Sequence, residues 1–407
     1  MGSLRTLAAS KVSPARLGLL STKDGLVETP AFVAVATNAA LKAVDLRDVP
    51  GVDMIFANTF HLLLHPGVDV VSKAGGLKPF MNAGDGRIIM TDSGGFQVFS
   101  LKHGTVHGEL TQTQTQTQTH TASLKMKSVK AKRPDRYGSS DVRVGEEGVT
   151  FRSYRDGVRE LLTPEGSVSA QKALNGSIIM PLDELPPYHV TDQALRESLD
   201  RTHRWMKRSL DRHLLEPKGQ LMFGIVHGGS DKALRKASVD AIRAMPFDGY
   251  AIGGALGRDR SELYEIVGWV MDECGMWAAS RAEDKPVHLL GIADPWSVRR
   301  LVQLGVDTFD SCYLTKISRH GTVLTGAPAD PGRINIASGR WKGTVGGTMG
   351  EVTGCECSTC TQYSVGYLHH LKKAHEVVVD RLLSVHNLEF MARTMRWIRR
   401  EIRRGTL

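Results

Sequence analysis

The sequence predicts an α/β protein: a (β/α)8 barrel with a zinc-binding subdomain near the C-terminus. Three observations carry that reading: short apolar or β-rich runs, helical patterns between them, and polar residues with glycines where the runs end. In chain order the runs are AFVAV at 31–35, DMIFA at 53–57, RIIMT at 87–91 and SIIMP at 177–181. LMFGIV at 221–226, GYAI at 249–252, VHLLG at 287–291 and VDTF at 306–309 complete the eight. Helical patterns such as those at 194–214 and 261–275 intervene, and eight such units make a barrel.

Barrel active sites are assembled at the C-terminal ends of the strands, so the residues just past each run matter more than the run itself. Asp92 and Ser93 come after the third run, Asp183 and Glu184 after the fourth, and His227 stands before two glycines after the fifth. Gly253, Gly254 and Gly257 come after the sixth, and Asp310 after the eighth. A single Asp at a strand-to-helix junction is commonly an N-cap. Several acids on one rim, between glycines that let a flat ligand approach the backbone, point to chemistry. Asp92 and Asp310 offer a nucleophile and a general base. Asp183 offers an acceptor for the N–H edge of a purine-like ring, with backbone near Gly254 in support. Paired carboxylates would equally serve a glycoside hydrolase.

At 407 residues, 41% hydrophobic and 23% charged, the chain has an ordinary globular composition. It fits one large barrel or two to three smaller domains. No run approaches the roughly 18 apolar residues of a membrane span, and no signal or transit pattern stands out, so the expected compartment is the cytosol. The opening Met-Gly-Ser-Leu-Arg-Thr fits the loose N-myristoylation pattern, which leaves association with a membrane surface or mitochondria open. A net charge of +9 favours a polyanionic partner. Part of that excess lies on the helical pattern at 393–407, either a solvated face or a phosphate-contacting stripe. The TQTQTQTQTHT tract at 111–121 and the basic run after it mark 102–141 as an insertion expected to be disordered. It reads as a tolerated loop or as a basic arm for a polyanion.

Three of the five cysteines fall at Cys355, Cys357 and Cys360, which is a metal pattern rather than a disulfide framework. His386 completes a tetrahedral Cys3His zinc site, with His369, His370 and His375 as competitors. Four protein ligands leave no open position, so the zinc is structural. The expected division is 1–345 for the barrel and 346–407 for the zinc subdomain and basic helix.

TDSGGFQVFSL at 91–101, GVTFRSYRDG at 148–157, FGIVHGG, GYAIGG and the Cys-x-Cys-x2-Cys motif with its distant His together resemble the tRNA-guanine transglycosylase family, from about residue 27 to 386. The resemblance implies a zinc-containing (β/α)8 barrel that exchanges the guanine at the first anticodon position of tRNA for a 7-deazaguanine. It places Asp310 as the nucleophile that forms a covalent tRNA intermediate and Asp92 as the acid that handles the proton on either base. Asp183 would read the base edge, with Ser93, Phe96 and Gly254 as pocket residues and Phe96 stacking on the base. Cys355, Cys357, Cys360 and His386 match the zinc ligands.

Two departures accompany the match. His227 stands where the family usually has Gln, and cannot reproduce an amide's paired donor and acceptor. Leu314-Thr315-Lys316 replaces Pro-Thr-Arg, so a point charge replaces a phosphate fork, with Arg319 retained as a second tRNA contact. Gly257 and Phe96 resemble eukaryotic members, which implies queuine as the base and a heterodimer with a related noncatalytic subunit. The alternative is that this chain is itself that noncatalytic subunit, although it keeps Asp92, Asp183 and Asp310.

Overall fold

The computed structural model describes residues 3–103, 142–188 and 190–407. Most of the predicted insertion, with its basic run, and Gly2 lie outside the described residues.

A three-stranded antiparallel sheet leads in: β1 (Leu4–Ala9), β2 (Arg16–Thr22) and β3 (Gly25–Thr29). The barrel begins with β4 (Ala31–Val35), β5 (Met54–Ala57) and β6 (Ile88–Thr91). A second antiparallel sheet, β7 (Arg143–Val144), β8 (Val149–Arg152) and β9 (Arg159–Leu162), interrupts it. The barrel resumes with β10 (Ile178–Ile179), β11 (Leu221–Val226), β12 (Gly249–Ile252), β13 (Val287–Leu289) and β14 (Thr308–Ser311). The eight strands pair in parallel around a closed ring, with β14 against β4 and β10 against β6. The predicted barrel is therefore the observed one. Both faces of its strands are covered, which is why they read as apolar runs and not as alternating patterns.

The helices start where capping chemistry allows. Asp231, Asp259 and Asp294 each accept a backbone N–H from the first turn of the helices Lys232–Arg243, Arg260–Gly268 and Pro295–Gln303. These aspartates take the N-cap role at their junctions, which leaves Asp183 and Asp310 to be explained otherwise.

After the barrel comes a hairpin, β15 (Thr322–Ala327) with β16 (Asp330–Asn335), then short helices and the long helix Val378–Arg404. Val323, Ile336, Cys355, Cys360, Leu368 and Leu383 form a small core of their own, drawn from both sides of the expected 345/346 boundary. The second half of the long helix packs on the barrel core through Met391, Met395, Ile398 and Ile402.

Several arginines of that helix have partners within the chain. Arg396 pairs with Glu389 at 2.6 Å, Arg403 with Glu28 at 2.8 Å and Arg404 with Glu401 at 3.1 Å. Arg399 donates to the carbonyl of Pro30 at 3.0 Å, just before β4. Four of the six arginines at 393–404 thus share three carboxylates, and Arg399 and Arg403 are tied to the N-terminal end of the barrel, opposite the acid rim. Arginines at helical spacing give no hint of such distant partners.

Candidate active site

At the end of β6, Asp92 is held by three donors. Its Oδ1 accepts from Thr59 N at 2.7 Å, and its Oδ2 from Asn58 Nδ2 at 2.7 Å and Gln97 Nε2 at 2.8 Å. Burial, reinforced by the nearby Asp183 charge, outweighs those hydrogen bonds and raises its pKa to about 6. A carboxyl group so placed exchanges protons near neutral pH.

Asp183, beyond β10, is 5% exposed. Ser93 Oγ donates to its Oδ1 at 3.2 Å, and His227 Nε2 lies 2.9 Å from its Oδ2 but outside hydrogen-bond geometry. His227 is itself fixed from behind, its N–H donating to Ser238 Oγ at 3.0 Å. Gly254 follows β12 with φ of +76°, and a Cβ there would stand 3.0 Å from His227 Nδ1, so both the backbone and the neighbour require glycine. Phe96 is 49% exposed, a free aromatic face at the rim.

Asp310 sits within β14, opposite Val33 of β4. Its Oδ1 accepts from Gly291 N at 2.8 Å and from His288 Nε2 at 3.2 Å. Because a carboxylate only accepts, His288 carries its proton on Nε2, and its Nδ1 then accepts from Thr308 Oγ1 at 2.9 Å. Among the described residues nothing donates to Oδ2. One oxygen of Asp310 is anchored and the other is free.

A cavity of about 290 Å³ borders this rim, lined by Glu184, Tyr188, Leu195, His227, Gly254 and Ala255 among others. Asp92, Asp183 and Asp310 are not in its wall, so it adjoins the acids without containing them. Gly257 is not in the wall either. Its φ is +95°, and a Cβ would come 2.9 Å from Glu262, whose carboxylate accepts from Arg258 N and Tyr188 OH. The turn therefore requires glycine at this position on its own account. Lys316 is exposed and Arg319 half-buried on the helix Tyr313–Arg319, which directly follows β14.

Cys355, Cys357, Cys360 and His386 converge, with all four ligand atoms within 4.8 Å of one another. His386 Nδ1 is 3.0 Å from Cys360 Sγ and 3.7 Å from Cys357 Sγ. A tetrahedral zinc with Zn–S bonds of about 2.3 Å spaces its ligands by roughly 3.5–3.8 Å, so the cluster fits that ion. His386 Nε2 donates to Leu324 O at 2.8 Å, which leaves the Nδ1 lone pair for the metal. Of the competitors, His369 is committed to Ile336 O at 2.7 Å, and neither His370 nor His375 joins the cluster.

Local sequence could not single out Asn58, Thr59, Gly291 or His288. Their roles come from which strand ends adjoin in the ring, a relation that spacing along the chain does not encode.

Comparison with known proteins agrees along the whole length. The family profile described as queuine tRNA-ribosyltransferase matches residues 11–133 and 134–407. A queuine tRNA-ribosyltransferase of Protochlamydia amoebophila is 44% identical over 396 residues, covering 97% of this chain and 93% of its own. Those of Chlamydia caviae, at 42% over 398 residues, and Chlamydia trachomatis serovar L2, at 41% over 402, cover 97% or more of both chains. These relatives are bacterial, so they lend no support to the eukaryotic-type subunit arrangement expected from Gly257 and Phe96. With the barrel, the acid rim and the Cys3His cluster in place, the chain belongs to the queuine tRNA-ribosyltransferase family.

Proposed function

We propose that this protein exchanges the wobble guanine of specific tRNAs for queuine by double displacement at the ribose. Asp310 Oδ2 attacks C1′, the C1′–N9 bond breaks, and its electron pair leaves with guanine. Asp92, protonated, supplies the proton that neutralises the departing base. The resulting Asp92 carboxylate then removes the N9 proton of the incoming base, whose N9 attacks C1′ and displaces Asp310. One proton is thus lent and recovered. A pKa of about 6 suits a group that must serve as acid in one half and base in the other.

Asp183 accepts the N–H groups of the base edge, Phe96 offers its face for stacking, and Lys316 and Arg319 contact the tRNA backbone. A zinc ion on Cys355, Cys357, Cys360 and His386 would cross-link the subdomain without touching the reaction. The observation that carries the reading is the asymmetric anchoring of Asp310, which leaves one oxygen free to attack. Retention of all three acids argues against a noncatalytic subunit, and the cytosol is the compartment proposed for this activity. Labelled guanine should enter tRNA in the presence of this chain alone, and a denaturing gel should trap a protein–tRNA band. Absence of both would refute the proposal.

A further inference from the structure

Behind the cavity wall lies an arginine that the chemistry above leaves unused. Arg235, on the helix Lys232–Arg243, is fully buried, and among the described residues no carboxylate pairs with it. All its hydrogen bonds go to backbone carbonyls. Nε donates to Gly229 O at 2.9 Å, Nη1 to Val226 O at 3.0 Å and Gly253 O at 2.8 Å, and Nη2 to Ala255 O at 2.8 Å. One planar fork therefore clasps the turns after β11 and β12, the two that carry His227 and Gly254. A buried guanidinium without a carboxylate is a costly arrangement, and four carbonyl dipoles are what sustain it.

The clasp has a directional consequence. In a trans peptide the C=O and the following N–H point opposite ways. With Gly253 O drawn toward Arg235, the Gly254 N–H is turned away from it, and among the described residues that N–H donates to no protein group. A cation on the carbonyl also polarises the shared peptide unit and strengthens its N–H as a donor. On the guanine edge, the acceptor beside the N–H groups taken by Asp183 is the C6 carbonyl oxygen, which needs such a donor.

We propose that Arg235 is a positioning residue for base reading, locking the Gly254 amide toward the C6 oxygen of the bound base. This rests on the assignment of Asp183 and Gly254 to the base edge. Guanine incorporation by the wild-type enzyme tests that assignment first, and its absence would count against the function rather than against Arg235 alone. With wild-type exchange established, Arg235→Lys keeps a charge but cannot span four carbonyls. It should raise KM for guanine at least tenfold while KM for tRNA stays within twofold. Inhibition by 2-aminopurine, which lacks the C6 oxygen, should change less than twofold, so discrimination between the two bases falls. An unchanged guanine KM, or an equal loss for both bases, overturns the proposal. Failure of both Arg235→Lys and Arg235→Gln to fold would assign the residue to the fold and overturn it as well. In the wild-type protein, saturating guanine should slow hydrogen exchange in peptides covering 253–256 at least tenfold, and no slowing would equally refute it.

Discussion

Asp307 and Asp310 lie on the same stretch of chain at opposite ends of the barrel wall. At the N-terminal end, Asp307 takes two hydrogen bonds from the buried Arg16, at 2.8 and 2.7 Å, and one from Val287 N at 2.8 Å. At the C-terminal end, Asp310 has donors on one oxygen only. The contrast extends to their surroundings. Near the start of β4, Glu28 pairs with both Arg399 and Arg403, whereas Asp92 sits among donors that do not fully offset its burial. A buried polar group with all its partners supplied holds the fold, and one with capacity left over is available to a ligand.

Substitution at these two aspartates should separate the two kinds of site most widely. Asp310→Ala should cut guanine exchange on the order of 10⁴-fold or more, with no covalent band and little change in Tm. Asp307→Ala strands a buried Arg16 and should cost about 3–5 kcal/mol of stability, while whatever remains folded keeps its specific activity. Denaturant unfolding together with single-turnover exchange checks both, and a catalytic loss at Asp307 matching that at Asp310 would break the comparison.

Next in size is the zinc cluster. Cys357→Ser should bring metal content well below one zinc per chain and lower Tm by several degrees, with exchange lost only as the fold is lost. Metal analysis beside calorimetry tests this.

Asp92 offers a subtler measurement. Its carboxyl is raised from 3.8 to about 6, so the folded state binds the proton more tightly than the unfolded state. The stability this confers is complete below pH 4 and lost as pH climbs through 6. Relative to wild type, Asp92→Asn should therefore gain about 2–3 kcal/mol between pH 4 and pH 7.5. Parallel unfolding curves at the two pH values would show that Asp92 is not strained. In wild type, formation of the covalent species should also fall about tenfold per pH unit above 6, as the proton it donates is lost.

The smallest effect is expected from the C-terminal helix. Because Arg396, Arg399 and Arg403 already have partners, changing them to Gln should alter the salt dependence of tRNA binding by less than one phosphate contact, about 0.7–0.9 in log–log slope. Lys316→Ala should cost about one such contact.

The barrel was legible because most of its strands are short apolar runs, and even β10, only two residues long, lies inside the run at 177–181. The thiolate cluster was legible because its three cysteines sit within six positions, so a local pattern carries a local site. What spacing could not convey was partnership across the ring. Asn58 reaches Asp92 over 34 residues and His288 reaches Asp310 over 22, and only the lateral pairing of neighbouring strands brings either pair together. The contact between Gly257 and Glu262 is likewise visible only once the turn is built.

The ring closes where β14 meets β4, and Asp310 is itself one of the pairing residues, opposite Val33. As the chain leaves the ribosome, β4 emerges early and waits for the last barrel strand, some 270 residues behind it. The proposed nucleophile arrives on that final strand, and its Gly291 and His288 anchors become useful only then. On the proposed mechanism, a nascent chain stalled short of β14 holds the proton-transfer acid Asp92 and the base-reading Asp183 but lacks the group proposed to attack the glycosidic bond, so unfinished enzyme would leave the tRNAs around it intact.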